Sequence, residues 1–497
     1  MESRTDHGVC IIYTGGTIGS APKDNNDPLS PLVPKKLDEI IDQLPFYDKR
    51  GHQILIGGQW IRLGTHSWEN PIDSSNIQLK DWLDMARVIQ RYYDEYEGFV
   101  ILHGTDTLAY TASALAFMLE NLGKPVIVTG SQLPIGRTRS DAVQNIVTSV
   151  EIAAARSLGA RVIPEVTVFF RDELYRGCRT TKLSASSFSA FYSPNCPPLA
   201  KAGEHIVPVS ESRQAGAAGS LRIAENLESN IASIDIFPGM NPVLLKNLLA
   251  TEHLRGVALQ TFGVGNAPTT KEFLATVKAA LDAGKIIVNI TQCREGEVEL
   301  GLYDVSAGLL SRGVISGMDM TIEAALTKMF VVLGNEKDKD IAADRMQIDL
   351  RGEQRQSIFN LHFEAGATGE DGKPVTVAPL RPMVGGSASY RPGMLDRAVL
   401  RMMGLRTADR RKGRIEFRAF IDLPEANIDT KTEGNIHFLG AGDRRFDSDE
   451  SSESVFFTVT DQVRAAVDNA HKNSITIIGL GAPFTWEKLS LACFVNS

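Results

Sequence analysis

Hydrophobic and polar positions follow two different rhythms along this chain. Up to about residue 200, short and fully apolar runs are separated by amphipathic stretches. Val9–Tyr13, Phe99–Leu102, Val126–Thr129 and Val166–Phe170 are apolar runs of strand length. The first three end in small or hydroxylated residues: Thr14-Gly15-Gly16-Thr17, His103-Gly104-Thr105-Asp106-Thr107 and Gly130-Ser131-Gln132. Between them lies helical periodicity. Trp82, Met85, Ile89 and Tyr93 recur at spacings of three and four behind Asp73-Ser74-Ser75, and Ser75-x-x-Gln78 reads as a capping box. Apolar strands alternating with helices predict a mostly parallel sheet covered on both faces.

The pattern predicts five segments. Residues 1–200 form a larger α/β domain. Residues 201–222, rich in Gly, Ser and Ala from His205 to Gly219, form a linker. A smaller α/β domain over 223–355 repeats the rhythm, with strands at Val257–Gln260 and Ile286–Thr291 and helices over 269–283 and 320–333. Residues 356–395, with many Gly and Pro, form a second linker region. Past it the period changes to two: Ile415, Phe417, Ala419 and Ile421 alternate with polar neighbours. Asn435–Leu439, Ser454–Thr460, Ser474–Leu480 and Lys488–Val495 are further short strands, which together predict a β-sandwich-like extension over 396–497. Arg444–Glu453 reads as a solvated polar loop, and no 20–50-residue repeat is visible in this tail.

Composition narrows the function classes. The 497 residues are 43% hydrophobic and 23% charged, with a net charge of −8, which is ordinary for a soluble globular chain and argues against a nucleic-acid-binding face. No apolar window has transmembrane length, and the N-terminus has charges of both signs but no signal-peptide core. The five cysteines, Cys10, Cys178, Cys196, Cys293 and Cys493, are few and far apart, as expected of a reduced, cytoplasmic chain. Scattered histidines and the lack of a Cys-x-x-Cys pair predict no metal site and no cofactor.

Four local features carry chemistry. Thr14-Gly-Gly-Thr-Ile-Gly19 stands at a strand's carboxyl end, where ligands sit in open α/β sheets. It is neither Gly-x-Gly-x-x-Gly nor a P-loop, and by itself it is also an ordinary tight turn. Thr105-Asp106 pairs a hydroxyl with a carboxylate, which is equally a helix cap. Lys182, in Arg176-Gly-Cys-Arg-Thr-Thr-Lys182, could serve a nearby hydroxyl as a base if partly desolvated, although most lysines do not. Asp73-Ser74-Ser75 is a helix start, suited to a carboxylate and equally to simple capping.

Together and in this order, these features resemble the L-asparaginase family, in its cytosolic type I branch. The resemblance runs through Tyr13–Gly19, Asp73–Ser75, Gly98–Tyr110, Phe117–Gln132, Tyr175–Lys182, Ser193–Asn195, Thr261–Asn266 and Asn289–Cys293, and it covers about residues 8–355. It implies the two-domain fold of that family and hydrolysis of the side-chain amide of L-asparagine. It implies that Thr14 is the nucleophile, and that Thr105, Asp106 and Lys182 form a second catalytic set with Lys182 as base. Asp73, Ser74 and Ser75, with Thr105, Asp106 and Ser131, would bind substrate. Asn266 would reach a neighbouring subunit's site in a homodimer or homotetramer. Glutaminase, another amidohydrolase activity or a lysophospholipase-like activity are the alternatives, the last disfavoured because Gly-x-Ser-x-Gly is absent. A non-catalytic scaffold is a fourth reading, and intact Thr14, Thr105, Asp106 and Lys182 argue against it.

Three departures from the family pattern stand out. The loop Ser20–Pro34 lacks the tyrosine that often activates the first threonine, and strand alternation turns Tyr13 away from Thr14. An allosteric asparagine site in bacterial members uses an arginine where this chain has Gln260, although Thr291 and Cys293 keep the rest of that pattern. Losing that guanidinium predicts weak or absent cooperativity. The ankyrin repeats of vertebrate relatives are missing from the tail. Instead Arg414–Asn427 and Thr432–Phe438 resemble the small sandwich that follows the copper domain of tyrosinase-like enzymes. No copper domain is present, so no oxidase activity follows.

Overall fold

The computed structural model describes residues 8–23, 30, 32–212, 219–300, 308–368, 373–380, 395–407, 414–421, 438–445, 453–461, 463, 474–480 and 483–496. Its largest sheet has ten strands. The first strand, Val9–Gly15, lies between Gln59–Ile72 and Gly98–Leu102, parallel to both. Val126–Thr129 and Val166–Phe170 continue the sheet in parallel, and Glu173–Arg176 turns back antiparallel. Alternation along the first strand feeds two cores. Cys10 and Ile12 pack with helices Leu79–Arg91 and Leu108–Met118, while Val9, Ile11 and Tyr13 pack on the other face with helix Ala142–Ala153. These strands read as continuous apolar runs because both faces are covered.

The smaller α/β layer has four parallel strands, Ile231–Asp235, Gly256–Thr261, Ile286–Thr291 and Ile315–Ser316. Helix Ile322–Asn335 joins it to the larger sheet, since Ala324, Met329 and Val332 share a core with Ile12, Leu115 and Val168. Strand Ile231–Asp235 and helix Pro242–Leu249 have little periodicity and were not legible in the sequence.

Three local expectations need correction. The helix expected to open at Asp73 begins at Leu79; Asp73–Asn76 form a separate 3-10 turn, and the reciprocal cap is Gln78 with Asp81. The Gln78 pairing prevails because Asp73's carboxylate is already engaged by the Ser75 amide. The stretch expected to link over 356–395 contains the strand Gln356–Phe363, whose eight residues pair with Lys488–Asn496. Phe359, Leu361 and Phe363 alternate with Asn360 and His362, but the Gly- and Pro-containing stretch that follows reads as a linker and hides the strand. Likewise, short strands Ala200–Ala202, Ile206–Pro208 and Arg222–Ile223 lie in the stretch expected to link over 201–222.

Beyond residue 356 the chain builds two antiparallel sheets. One contains Gln356–Phe363, Lys488–Asn496 and the long strand Leu395–Thr407; the other contains Pro374–Val377, Ile475–Gly479, Arg414–Ile421 and Phe438–Arg445. Phe359, Leu400, Met402, Phe417, Ile477 and Trp486 fill the space between them, which makes a sandwich. Most of the tyrosinase-like stretch, 422–437, and residues 446–452 of the polar loop lie outside the described residues.

Candidate active site

The site forms where three segments crowd together at the carboxyl ends of neighbouring parallel strands. The pairing register of the first strand with Gln59–Ile72 breaks between Tyr13 and Gly15, so Thr14 occupies an irregularity at the strand's end. Gly16, at φ 88°, then turns the chain against Gly104: a Cβ on Gly16 would lie 2.3 Å from the Gly104 Cα. Only glycine permits that approach. Gly104 in turn meets Ser74, whose Oγ would be 2.5 Å from a Cβ there. Thr107 Oγ1 completes the junction by donating to the Ser74 carbonyl at 2.7 Å. Two glycines and one hydroxyl thus bring the three sequence motifs together.

Thr14 is 1% exposed, and its hydroxyl donates to the Leu102 carbonyl at 3.1 Å. That carbonyl orients the hydroxyl but cannot take its proton. Tyr13 packs on the opposite face, as alternation predicts, with its hydroxyl sealed from solvent, unpartnered and crowded under Gly19.

The lysine arrives on a separate two-stranded ribbon that follows the larger sheet's strand Glu173–Arg176. After the 3-10 turn Gly177–Arg179, a short strand at Thr181–Lys182 pairs with Phe191–Tyr192. This directs Lys182 Nζ to 2.9 Å from Thr105 Oγ1 and 2.8 Å from Asp106 Oδ1. Lys182's side chain is 19% exposed and that of Asp106 is 65%, so the ion pair is half-sheltered, with the carboxylate on the open side. Asp73 Oδ1 accepts from the Ser75 amide at 2.9 Å and the Ser75 hydroxyl at 2.7 Å. These donors, the amide foremost, hold its carboxyl below the ordinary range. Ser131 is fully buried, and its hydroxyl donates to the Leu133 carbonyl at 2.6 Å.

Several groups that shape the site carried no signal of their own in the sequence. His103 is completely buried. Its Nδ1 lies 2.7 Å from the Gly104 carbonyl and its Nε2 2.9 Å from Thr111 Oγ1, which also receives the Trp82 indole N–H at 2.9 Å. A carbonyl only accepts, so Nδ1 carries the proton and Nε2 accepts from Thr111. Burial pushes this imidazole down to about 4, so it stays neutral at pH 7. Asp141 accepts from the backbone amides of Gln132 and Leu133 at 3.0 and 3.1 Å and so fixes the Ser131 loop. Glu323, at the start of helix Ile322–Asn335, accepts from the Thr181 hydroxyl at 2.7 Å, beside Lys182. Arg179 makes a buried 2.8 Å ion pair with Asp319. Only Asp141, following Ser140 just before an apolar helix, had a capping signature that could have revealed it.

The remaining sequence candidates lie elsewhere, on the smaller layer. Gln260 donates from Nε2 to Asp235 Oδ1 and, at 3.1 Å, to Ser233 Oγ. Thr291 Oγ1 donates to the Gly263 carbonyl at 2.6 Å, and the exposed Cys293 caps the same turn through its amide. Asn266 is half-buried, and its Oδ1 is sealed without a partner. Among the described residues, no group of three or more His, Cys, Asp or Glu could hold a metal ion, and no helix is long and apolar enough to cross a membrane.

Comparisons with known proteins bear on the family and the fold. Residues 8–214 match the family model described as asparaginase, N-terminal, and residues 230–346 match the glutaminase/asparaginase C-terminal domain. The chain is 41% identical over 346 residues to L-asparaginase 1 of Escherichia coli (strain K12), an alignment spanning 69% of this chain and 97% of that one. It is 38% identical to the 60 kDa lysophospholipase of Homo sapiens, across 69% of this chain and 61% of that one. Among solved structures, L-asparaginase I from Vibrio cholerae O1 biovar eltor str. N16961 superposes with a TM-score of 0.61 at 40% identity, covering 70% of this chain and 98% of that one. With two family domains in sequence, the shared fold and the assembled threonine–lysine–aspartate cluster, this chain belongs to the asparaginase family of amidohydrolases.

Proposed function

We propose that this protein hydrolyses the side-chain amide of L-asparagine to L-aspartate and ammonia in the cytoplasm, through a threonine acyl-enzyme. The observation that carries the reading is Lys182 Nζ poised on both Thr105 Oγ1 and Asp106 Oδ1 at hydrogen-bond distance. A threonine hydroxyl is a poor nucleophile until a base takes its proton, and Lys182 within 3 Å meets that geometric requirement for Thr105, while the resemblance assigns the first attack to Thr14. Thr14 Oγ1 attacks the amide carbon and gives up its proton; the C–N bond breaks and the amide nitrogen takes that proton to leave as ammonia. Water then cleaves the ester to release aspartate and restore the hydroxyl. Asp106, open to solvent, receives the substrate's α-ammonium, and the Asp73–Ser75 turn offers its α-carboxylate donors. Docking of that ammonium draws Asp106 away from Lys182, which couples substrate arrival to freeing the amine. The resemblance assigns the backbone of the Ser131 loop to the developing oxyanion.

A second order of events is favoured by one observation: the lysine touches Thr105, whereas Thr14's hydroxyl faces only a carbonyl. In that order Thr105 attacks first. Rapid acid quench of enzyme mixed with L-asparagine, followed by peptide mass spectrometry, separates the two. We expect an aspartyl adduct on the peptide containing Thr14; an adduct on the Thr105 peptide reverses the order, and none under conditions of fast turnover removes the acyl-enzyme. Homo-oligomerisation is part of the reading: Phe237, Val243 and Leu244 are each more than half exposed on the smaller layer, an apolar patch of the kind that partners cover.

A further inference from the structure

The sandwich rests its outer face, not its core, on the smaller α/β layer. Along Leu395–Thr407, Ala398, Leu400 and Met402 point into the sandwich core, so Arg397, Val399 and Arg401 point outward. There Val399 packs with Ile358, Ala492 and Phe494 against Met318 of the smaller layer. Next to that contact is a cavity of about 210 Å³ bounded by both parts of the chain, with Arg397, Arg401 and Phe494 on the sandwich side and Glu297, Val298 and Ser316 on the other.

Three carboxylates, Glu297, Glu299 and Asp396, and three guanidiniums, Arg355, Arg397 and Arg401, line this cavity, but they are unevenly paired. Glu297 is neutralised by Arg355 at 2.7 Å. Asp396 accepts from Gln356 Nε2 at 3.2 Å. Asp344, which lies in the field of Arg401, gives its carboxylate to Asn360 at 3.1 Å and His362 at 3.0 Å. Among the described residues neither Arg397 nor Arg401 forms an ion pair with a carboxylate, although Arg397 lies in the field of Glu297. Arg397 stacks over the Phe494 ring at 4.3 Å, Arg401 lies 5.9 Å from the same ring, and the Arg401 Nε is sealed from solvent with no acceptor. Two guanidiniums of like charge on one strand face, one with a buried unpaired N–H, are unfavourable unless an acceptor with negative charge joins them. Arginine's planar fork suits the paired oxygens of a carboxylate or phosphate.

We propose that this junction cavity binds a small oxyanion, a carboxylate or a phosphate, between Arg401 and Arg397. Its two arginines lie in the extension, beyond the residues that the family models match. The nearby Arg355 ties the cavity to the catalytic half, since its amide donates to Asp319 at 2.8 Å and Asp319 pairs with Arg179, three residues before Lys182.

The test is calorimetric titration of the full chain with sodium phosphate and with sodium succinate, against sodium chloride at matched ionic strength. The expected result is saturable binding of one or both oxyanions and none of chloride. Binding of phosphate alone identifies a phosphate ligand, and binding of succinate alone or of both identifies a carboxylate-accepting site. R401Q should weaken that binding at least tenfold and R397Q several-fold. If circular dichroism shows R401Q misfolded, the more exposed R397Q decides alone. Neither oxyanion binding beyond chloride, or unchanged binding in a folded R397Q and R401Q, overturns the proposal.

Discussion

Gly16 is the residue on which the site depends most closely. Its positive φ and its contact with Gly104 bring the Thr14 and Thr105 loops together. Gly16→Ala adds a Cβ 2.3 Å from backbone that cannot rotate aside, in a conformation that L residues rarely adopt. We expect roughly 1–3 kcal/mol of lost stability and at least a tenfold loss in kcat/KM, read by denaturant melts and steady-state kinetics. Near-normal activity would show that the two loops need not meet. His103 makes a pH prediction at the same scale. In the unfolded chain an imidazole takes its proton near 6.5, whereas burial holds the folded one down to about 4. Below 6.5 the unfolded state therefore binds more protons, and stability present at pH 7 is lost progressively as pH falls towards 4. The span amounts to at most about 3 kcal/mol. Urea midpoints measured from pH 7 to 5 should fall, and His103→Asn should flatten that stretch; an equal slope in both would rule out this titration. The identities of Thr14, Thr105, Asp106 and Lys182 were legible because each stands in a motif. His103's role was not, because its side-chain partner Thr111 stands eight residues on in helix Leu108–Met118 and is itself held by Trp82 from another helix.

Among the elements, helix Ile322–Asn335 joins the two α/β layers. Its Lys328 is fully buried 2.6 Å from Glu353 and also donates to the carbonyls of Met346 and Ile348 at 2.9 and 2.6 Å. Lys328→Met leaves the Glu353 carboxylate charged and buried with only backbone donors, so it should cost about 3–5 kcal/mol. The double variant Lys328→Met/Glu353→Gln should recover much of that loss in the same denaturant melts; no recovery would mean that packing, not charge, holds this pair. Strands at Val126–Thr129 and Ile286–Thr291 were legible to the residue because apolar runs ended at turn residues. The helix start at Leu79 was not, since Asp73–Ser75 carries its own capping signal and forms a turn instead. Gln356–Phe363 was hidden by its neighbours: Phe359, Leu361 and Phe363 alternate with Asn360 and His362, but the Gly- and Pro-rich stretch after them reads as a linker.

For the whole molecule, the two α/β layers and the sandwich were each foreseeable from a change of rhythm along the chain, but their contacts were not. Arg179–Asp319, Thr181–Glu323 and Asn360–Asp344 are spaced by 140, 142 and 16 residues and bring together motifs that no local pattern pairs. The first two tie the lysine's turn to the smaller layer, and the third ties the extension to the helix Lys339–Gln347. Regulation also belongs at this scale. Gln260 already spends its amide on Asp235 and Ser233, and Asp235 brings negative charge where the resemblance would seat an amino acid's carboxylate. A hyperbolic rate curve follows. The most direct measurement is ammonia release from L-asparagine and L-glutamine across a wide concentration range, with Thr14→Ala and Thr105→Ala beside the parent chain. The account predicts turnover of asparagine over glutamine, a hyperbolic dependence on asparagine, and a loss of at least a thousandfold, about 4 kcal/mol of transition-state stabilisation, in each variant. Folded parent protein that releases no ammonia from either amide, or a variant that keeps parental turnover, would contradict the two-threonine amidohydrolase described above.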